Sequence, residues 1–393
     1  MLLIYFLLLL AHVFEANAAK CNLFSGSWVF DSSYPLYNSS SCPFIEHEFN
    51  CQKNGRPDQE YLKYRWQPQG CQLARFNGHE FLLRFKGKSL MIVGDSLSRN
   101  LYQSILCLLH SSVPGIKYNQ TRVGDISTVT FLDFGVQVKY DLNVFLVDQR
   151  ATKIGNLLEV DSVAHKANLW RENDVLIFNT FQWWYYRGPK QPWQYIKVGE
   201  KILKDIDRTF ALKWALSTWA RWVNSDIDPS KTRVFFQGVS PAHYNGYEWN
   251  QPQVRNCGNQ TEPILGSQYP GSLPPALAWQ KDALRLIKKP VTLFDITHLS
   301  QFRKDGHPSI YGESRNGIDC LHCFFISLVF PRIGGDSVDS VFRLAKEGFI
   351  DLKRDGCDGG GGGICGDGWF LSGSEEKMVG KVAIWVVFPY LDE

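Results

Sequence analysis

Between residues 85 and 300 the chain alternates short, continuous apolar runs with stretches whose apolar residues recur every three or four positions. The runs Leu90 to Val93, Val175 to Asn179, Val234 to Gly238 and Val291 to Asp295 are each closed by Gly, Asn or Asp. Their lack of polar alternation predicts strands covered on both faces. Behind the first run, Leu97, Leu101, Ile105 and Leu108 step by four, four and three, which sets them on one face of a helix. A second helix is predicted from about 200 to 223, with Ile202, Ile206, Phe210, Trp214 and Trp222 on one face. Strands alternating with helices predict an α/β core with a mainly parallel sheet. Residues 20 to 80 lack this periodicity; Cys, Asn, Pro and aromatics dominate, the mark of a loop-rich segment. From Phe324 the pattern breaks. "FFISLVFPRIGGDSVDS" leads to "RDGCDGGGGGICGDG", whose glycines lose too much backbone entropy to form an ordinary element, so 324–393 reads as an atypical Gly-rich tail.

The 393 residues, 44% of them hydrophobic, suffice for a sizeable core and predict one large, elaborated domain. With 42 Lys+Arg against 39 Asp+Glu the net charge is +3, which lacks the basic footprint of a nucleic-acid binder and argues against that partner. The opening "MLLIYFLLLLAHVFEANAAK" carries an apolar run of about 13 residues followed by Ala16-Asn17-Ala18, the pattern of a cleavable signal peptide over 1–18. It is shorter than the roughly 20 residues that span a bilayer, and only an uncleaved leader would make the membrane a partner. Ten cysteines fit an oxidising compartment, and the cluster Cys21, Cys42, Cys51 and Cys71 predicts stapling of the N-terminal segment. A zinc site is not expected, since Cys320 and Cys323 form a lone C-x₂-C pair without a second pair to complete four ligands. Glycosylation sequons at Asn38, Asn119 and Asn259 fit lumenal exposure.

The stretch "MIVGDSLSRN", residues 91–100, carries the first candidate chemistry. A strand ending in Gly94-Asp95-Ser96 and running directly into a helix puts the serine at the C-terminal edge of the sheet, where open α/β folds present ligands. The helix N-terminus supplies N–H groups able to stabilise an oxyanion. The structural alternative is an ordinary N-cap, a position that favours both Ser and Asp. A nucleophilic serine needs a His oriented by a carboxylate. Three pairs lie downstream: Asp295 with His298 in "DITH", Asp305 with His307 in "DGH", and Asp319 with His322 in "DCLH". Both D-x-x-H spacings put the two side chains on one side of a turn, and spacing alone leaves the choice open.

Gly94-Asp95-Ser96 followed by Asp319-Cys320-Leu321-His322 resembles the paired GDS and DCxH motifs of the plant trichome-birefringence-like family. The likeness extends over 20–323 through "CNLFSGSWVFD", "CQKNGRPDQEYLKYRWQPQGCQLARFNG", "LIFNTFQWW", "RVFFQGVSPAHYNGYEWN" and "QFRKDGHPS". The resemblance implies an SGNH-hydrolase-like fold and a polysaccharide O-acetyltransferase, with Ser96 as nucleophile, His322 as general base and Asp319 as its orienting acid. It implies oxyanion donors at Gly94 and Asn179, and disulfides joining Cys21 to Cys71, Cys42 to Cys107 and Cys257 to Cys320. It further implies no bound cofactor, an acetyl donor (acetyl-CoA or another acetyl carrier) as co-substrate, a cell-wall polysaccharide such as xylan or pectin as partner, and a place in the Golgi or, after secretion, in the wall. In "FQWWYYRGPKQPW", Trp183, Trp184, Tyr186 and Trp193 are candidates to line a glycan groove, because flat apolar faces suit sugar rings as well as cores. Arg187 and Lys190 are candidates to meet uronic carboxylates.

The chain departs from the family in two places. Gln182 stands where the family commonly has a His, and after His322 the expected W-C-L-P-G closing segment is replaced by "HCFFISLVF". That break predicts a tail of translated intron or a mis-joined gene model, an expectation that a continuous coding transcript through Glu393 would defeat. The residues leave two other functions open. One is an acetylesterase, for which water replaces the sugar; the other is a non-catalytic glycan-binding wall protein.

Overall fold

The computed structural model of the protein describes residues 22–312 and 317–322. The leader, Cys21 and the tail from 324 onward lie outside the described residues. Thirteen strands and six α-helices are present among them. The strands are β1 (Gly26–Phe30), β2 (Tyr64–Pro68), β3 (Ser89–Gly94), β4 (Tyr118–Val123), β5 (Ile126–Phe131), β6 (Val136–Leu142), β7 (Asp148–Thr152), β8 (Gly155–Glu159), β9 (Val175–Phe178), β10 (Tyr195–Val198), β11 (Lys201–Leu203), β12 (Arg233–Gln237) and β13 (Val291–Phe294). The helices are α1 (Gly78–Arg84), α2 (Ser96–Ser112), α3 (Ala164–Arg171), α4 (Arg208–Asp226), α5 (Pro275–Arg285) and α6 (Thr297–Gln301).

Seven strands form the central sheet in the order β13-β12-β9-β3-β6-β5-β4. The pairings from β13 through to β6 are parallel, and those of β6 with β5 and β5 with β4 are antiparallel. All four apolar runs predicted as strands lie in the parallel part, side by side. The composition of β3, β9 and β12 follows from burial on both faces, whereas β13, at the sheet edge, buries only Val291 fully. Met91, Val93, Leu176, Phe178, Val234 and Phe236 point into one core with Trp170 of α3 and Trp219 and Trp222 of α4. Leu90, Ile92, Val175, Ile177 and Phe235 point into the other, with Leu101, Ile105 and Leu109 of α2 and Phe81 of α1. The antiparallel strands leave no continuous apolar run in the sequence because their faces differ: β6 buries Val136, Val138 and Tyr140 and half-exposes Gln137 and Lys139 between them.

The helix predicted from about 200 begins later. Ile202 lies in β11, half exposed, and Gly199 makes the β10–β11 turn with φ +57°. The chain enters α4 only after Asp207, whose side chain caps the Phe210 N–H. The buried face consequently runs through Leu212, Ala215, Trp219 and Trp222, whereas Phe210 is 44% exposed. A local cap and a tight turn thus outweigh an apolar spacing that continues upstream by coincidence.

The N-terminal segment is loop-rich, with β1 and β2 paired antiparallel and short 3₁₀ turns between them. Cys42 is bonded to Cys107 of α2, and Cys257 to Cys320. Cys71 is also disulfide-bonded. Cys51 is not part of the staple: it is a free, buried thiol, pushed up to about 12 by burial. Asn38, Asn119 and Asn259 are all exposed. No helix among the described residues is long and apolar enough to cross a membrane.

Candidate active site

The β3–α2 junction is built around Asp95. Its Oδ1 accepts the Leu97 N–H at 2.9 Å, which makes Asp95 the N-cap and Ser96 the first helical residue. Oδ1 also accepts from Nδ2 of Asn179 at 2.9 Å, and the Asn179 N–H reaches the Val93 carbonyl at 3.0 Å. Tyr140 donates its hydroxyl to the Asp95 carbonyl at 3.0 Å. Gly94 is required by contact: a Cβ there would stand 2.5 Å from the Asn179 carbonyl oxygen and 2.3 Å from Ser98 Oγ. The turn is therefore fixed from several sides, while Ser96 itself is half-buried and accessible.

The base arrives from far along the chain. Nε2 of His322 lies 2.7 Å from Ser96 Oγ, and its Nδ1 lies 2.7 Å from Oδ2 of Asp319. Oδ1 of Asp319 accepts the N–H groups of Leu321 and His322 at 3.0 and 3.1 Å, so the D-x-x-H spacing closes a turn on its own carboxylate. The loop is held by the Cys257–Cys320 bridge, by a two-way backbone bridge between Ser309 and Asp319, and by Tyr244, whose hydroxyl accepts the Cys320 N–H. Burial pushes the Asp319 carboxyl up, but the His322 hydrogen bond and charge and the two N–H groups outweigh it and leave the group below its ordinary value. Phe49 lies against the His322 ring at 5.1 Å, and Arg99, paired with Glu46 and Glu48, covers Phe49.

Of the three Asp–His pairs, only Asp319 and His322 meet Ser96. Asp295 pairs with Lys281, and the His298 ring packs on Phe302. Asp305 is bound to Arg303, and His307 is buried behind the loop. Among the aromatics, Trp184 and Trp193 are buried in the core, with Trp184 Nε1 donating to Thr180, so neither is free to meet a glycan. Their spacing could not separate these core rings from Trp183, which is half-buried and packs on Tyr186 at 5.3 Å. Burial and then the charges of Asp95, Tyr244 and Asp319 push the Tyr186 phenol above its ordinary value. Arg187 and Lys190 are exposed. Asp95 and Tyr244 also form the site; the cap preference of Asp signals the first in the sequence, and nothing local marks the second. Among the described residues no cluster of His, Cys, Asp or Glu could hold a metal ion.

Asp95 carries a measurable cost. Burial pushes its carboxyl up to about 6 against the pull of the Leu97 N–H, the His322 charge and the Asn179 amide. The folded chain thus binds this proton more tightly than the unfolded one, and the stability so gained is present below about pH 4 and lost as the pH rises through about 6. Asp95→Asn keeps a good cap without the charge. The variant is expected to match wild type in denaturant titrations near pH 4 and to exceed it by about 3 kcal/mol near pH 8. Equal stabilities at the higher pH would refute the assignment.

Comparison with known proteins is consistent with this geometry. A family model described as "GDSL/SGNH-like Acyl-Esterase family found in Pmr5 and Cas1p" matches residues 73–324, and the "PMR5 N terminal Domain" matches residues 19–72. Similar proteins of Arabidopsis thaliana include trichome birefringence-like 41, 54% identical over 80% of this chain and 89% of that protein. Trichome birefringence-like 40 is 49% identical over 78% of this chain and 84% of its own length. The protein named trichome birefringence is 36% identical over 74% of this chain and 50% of its own.

Proposed function

We propose that this chain, which belongs to the trichome birefringence-like family with its SGNH-like acyl-esterase domain, is an O-acetyltransferase that acetylates hydroxyls of a plant cell-wall polysaccharide through an acetyl-serine. The observation that carries the reading is the alignment of Ser96 Oγ, His322 and the Asp319 carboxylate through two 2.7 Å contacts. In the first half-reaction His322 takes the Ser96 proton as Oγ attacks the acetyl carbonyl of the donor. The tetrahedral oxyanion is met by N–H groups at the start of α2; Leu97's is already given to Asp95, and the role is assigned here to that of Ser96. Collapse expels the donor's leaving group, which takes the proton from His322, and leaves acetyl-Ser96. In the second half a sugar hydroxyl gives its proton to His322, attacks the ester carbonyl, and releases the acetylated sugar and Ser96 with its proton restored.

Asn179 supports the turn through Asp95, and its second amide hydrogen is a further oxyanion donor in this scheme. Trp183, Tyr186 and Arg187 line the approach of the acceptor, with Arg187 suited to a uronic carboxylate. The donor, acetyl-CoA or another acetyl carrier, is a co-substrate, and the setting is the Golgi lumen or the wall.

An acetylesterase is the second reading, favoured by the acyl-esterase description of the matched family. Both share the acetyl-serine and differ in what attacks it. The deciding experiment incubates the protein with an acetyl donor and deacetylated xylan or pectin, and in parallel with their acetylated forms. Acetyl gained by the polysaccharide supports transfer; acetate released without gain supports the esterase; neither, with no serine adduct from a fluorophosphonate, would sink both.

A further inference from the structure

Behind the triad two more histidines are packed, each 1% exposed. Nδ1 of His307 lies 2.8 Å from the His322 carbonyl oxygen, and Nε2 of His243 lies 2.8 Å from the Gln301 carbonyl oxygen. Between them Nδ1 of His243 and Nε2 of His307 are 2.6 Å apart. A carbonyl oxygen can only accept, so both outer nitrogens carry hydrogen. A neutral imidazole has one N–H, already spent in each ring, and the inner nitrogens would then oppose two lone pairs at hydrogen-bond distance. A further proton turns that repulsion into a charge-assisted N–H···N bond.

We propose that His243 and His307 share a single extra proton, and that this cationic pair is the positioning element that holds the backbone of His322 against Ser96. The inference rests on the reading of His322 as general base. The backbone N–H of His243 also donates to the Cys320 carbonyl at 2.9 Å, so the segment that carries the pair is tied to the same loop independently of the rings' protonation. The groups facing it are of both signs. Asp305 favours charge on His243 and Lys304 opposes it; Asp319 favours charge on His307 and His322 opposes it. Arg56 donates to the carbonyls of His307 and Asp305, and the Trp249 ring lies 5.4 Å from that of His243. Burial pushes the rings down, His243 to about 4 and His307 to about 3. That penalty conflicts with the hydrogen-bond geometry. The geometry outweighs it, since both outer nitrogens are committed to carbonyls and the proton is bound by two rings at once, as a property of the pair.

Loss of the proton as the pH rises restores the lone-pair clash and loosens His322, so activity falls on the alkaline side. The first test is ¹⁵N NMR of the histidine-labelled protein at neutral pH. Three of the four nitrogens of the two rings are expected to be protonated, with one hydrogen coupled to both inner nitrogens. Two neutral rings would overturn the proposal whatever the enzyme's activity, so its failure is distinct from failure of the acetyltransferase reading. The second test uses hydrolysis of a small acetyl ester. His243→Gln offers an N–H without a titrating proton and is expected to keep wild-type kcat at neutral pH while losing the alkaline decline. His243→Phe is expected to lower kcat about tenfold, the scale of one lost hydrogen bond, with KM unchanged. A pH profile identical in wild type and His243→Gln would overturn the proposal.

Discussion

Ser96→Ala is expected to lower acetyl turnover on the order of 10⁴-fold or more, with the fold intact. The helix start does not depend on the hydroxyl, because Asp95 supplies the cap and Ser96 occupies the first helical position. Alanine is the best helix former there, and thermal melting should be unchanged. The Ser96 oxygen, by contrast, has no substitute in the proposed mechanism, which forms the acetyl ester on it in the first half-reaction and breaks that ester in the second. Adding His322→Ala to Ser96→Ala should cost little more, since residues acting as one unit are far from additive. Steady-state rates of donor cleavage for the single and double variants, beside their melting curves, check this. A Ser96→Ala protein that retained a tenth of wild-type turnover would remove the acetyl-serine from the mechanism.

How much of this was legible beforehand follows from where the information lies. The strands β3, β9 and β12 are readable because burial on both faces makes each a continuous apolar run, and Leu101 and Ile105 of α2 face the core as their spacing predicts. The alternating β6 and the exposed β4 gave no such run. The serine's place at the end of β3 was readable from Gly94-Asp95-Ser96, but which residue capped the helix was not, since Ser and Asp suit the position equally. Choosing among the three Asp–His pairs required either family resemblance or the fold itself. The contact of His322 with Ser96 spans 226 residues, and nothing in local pattern encodes it. The same holds for His243 and His307, which look like two unrelated polar residues until the loops that carry them are packed together.

Asp319→Asn is expected to lower turnover by about 10⁴-fold through the tautomer of His322, and not through the fold. In the wild type the carboxylate can only accept, so Oδ2 fixes the hydrogen of His322 on Nδ1 and leaves Nε2 bare to take the Ser96 proton. An amide presents its NH₂ at that position, because its oxygen is needed by the Leu321 and His322 N–H groups that Oδ1 now accepts. Nδ1 must then accept, the ring proton moves to Nε2, and the nitrogen aimed at Ser96 can no longer act as a base. The turn survives this exchange. Asp319→Ala does not preserve it, since two N–H groups in a partly buried turn lose their acceptor, at a cost of about 1–3 kcal/mol each if left unpaired. The two variants should therefore be equally inactive but separable by denaturant midpoint, with Asp319→Asn near wild type and Asp319→Ala clearly below it. An Asp319→Asn protein within tenfold of wild-type turnover would show that the carboxylate neither sets the tautomer nor steadies the imidazolium, and that His322 is held in its working form by the backbone alone.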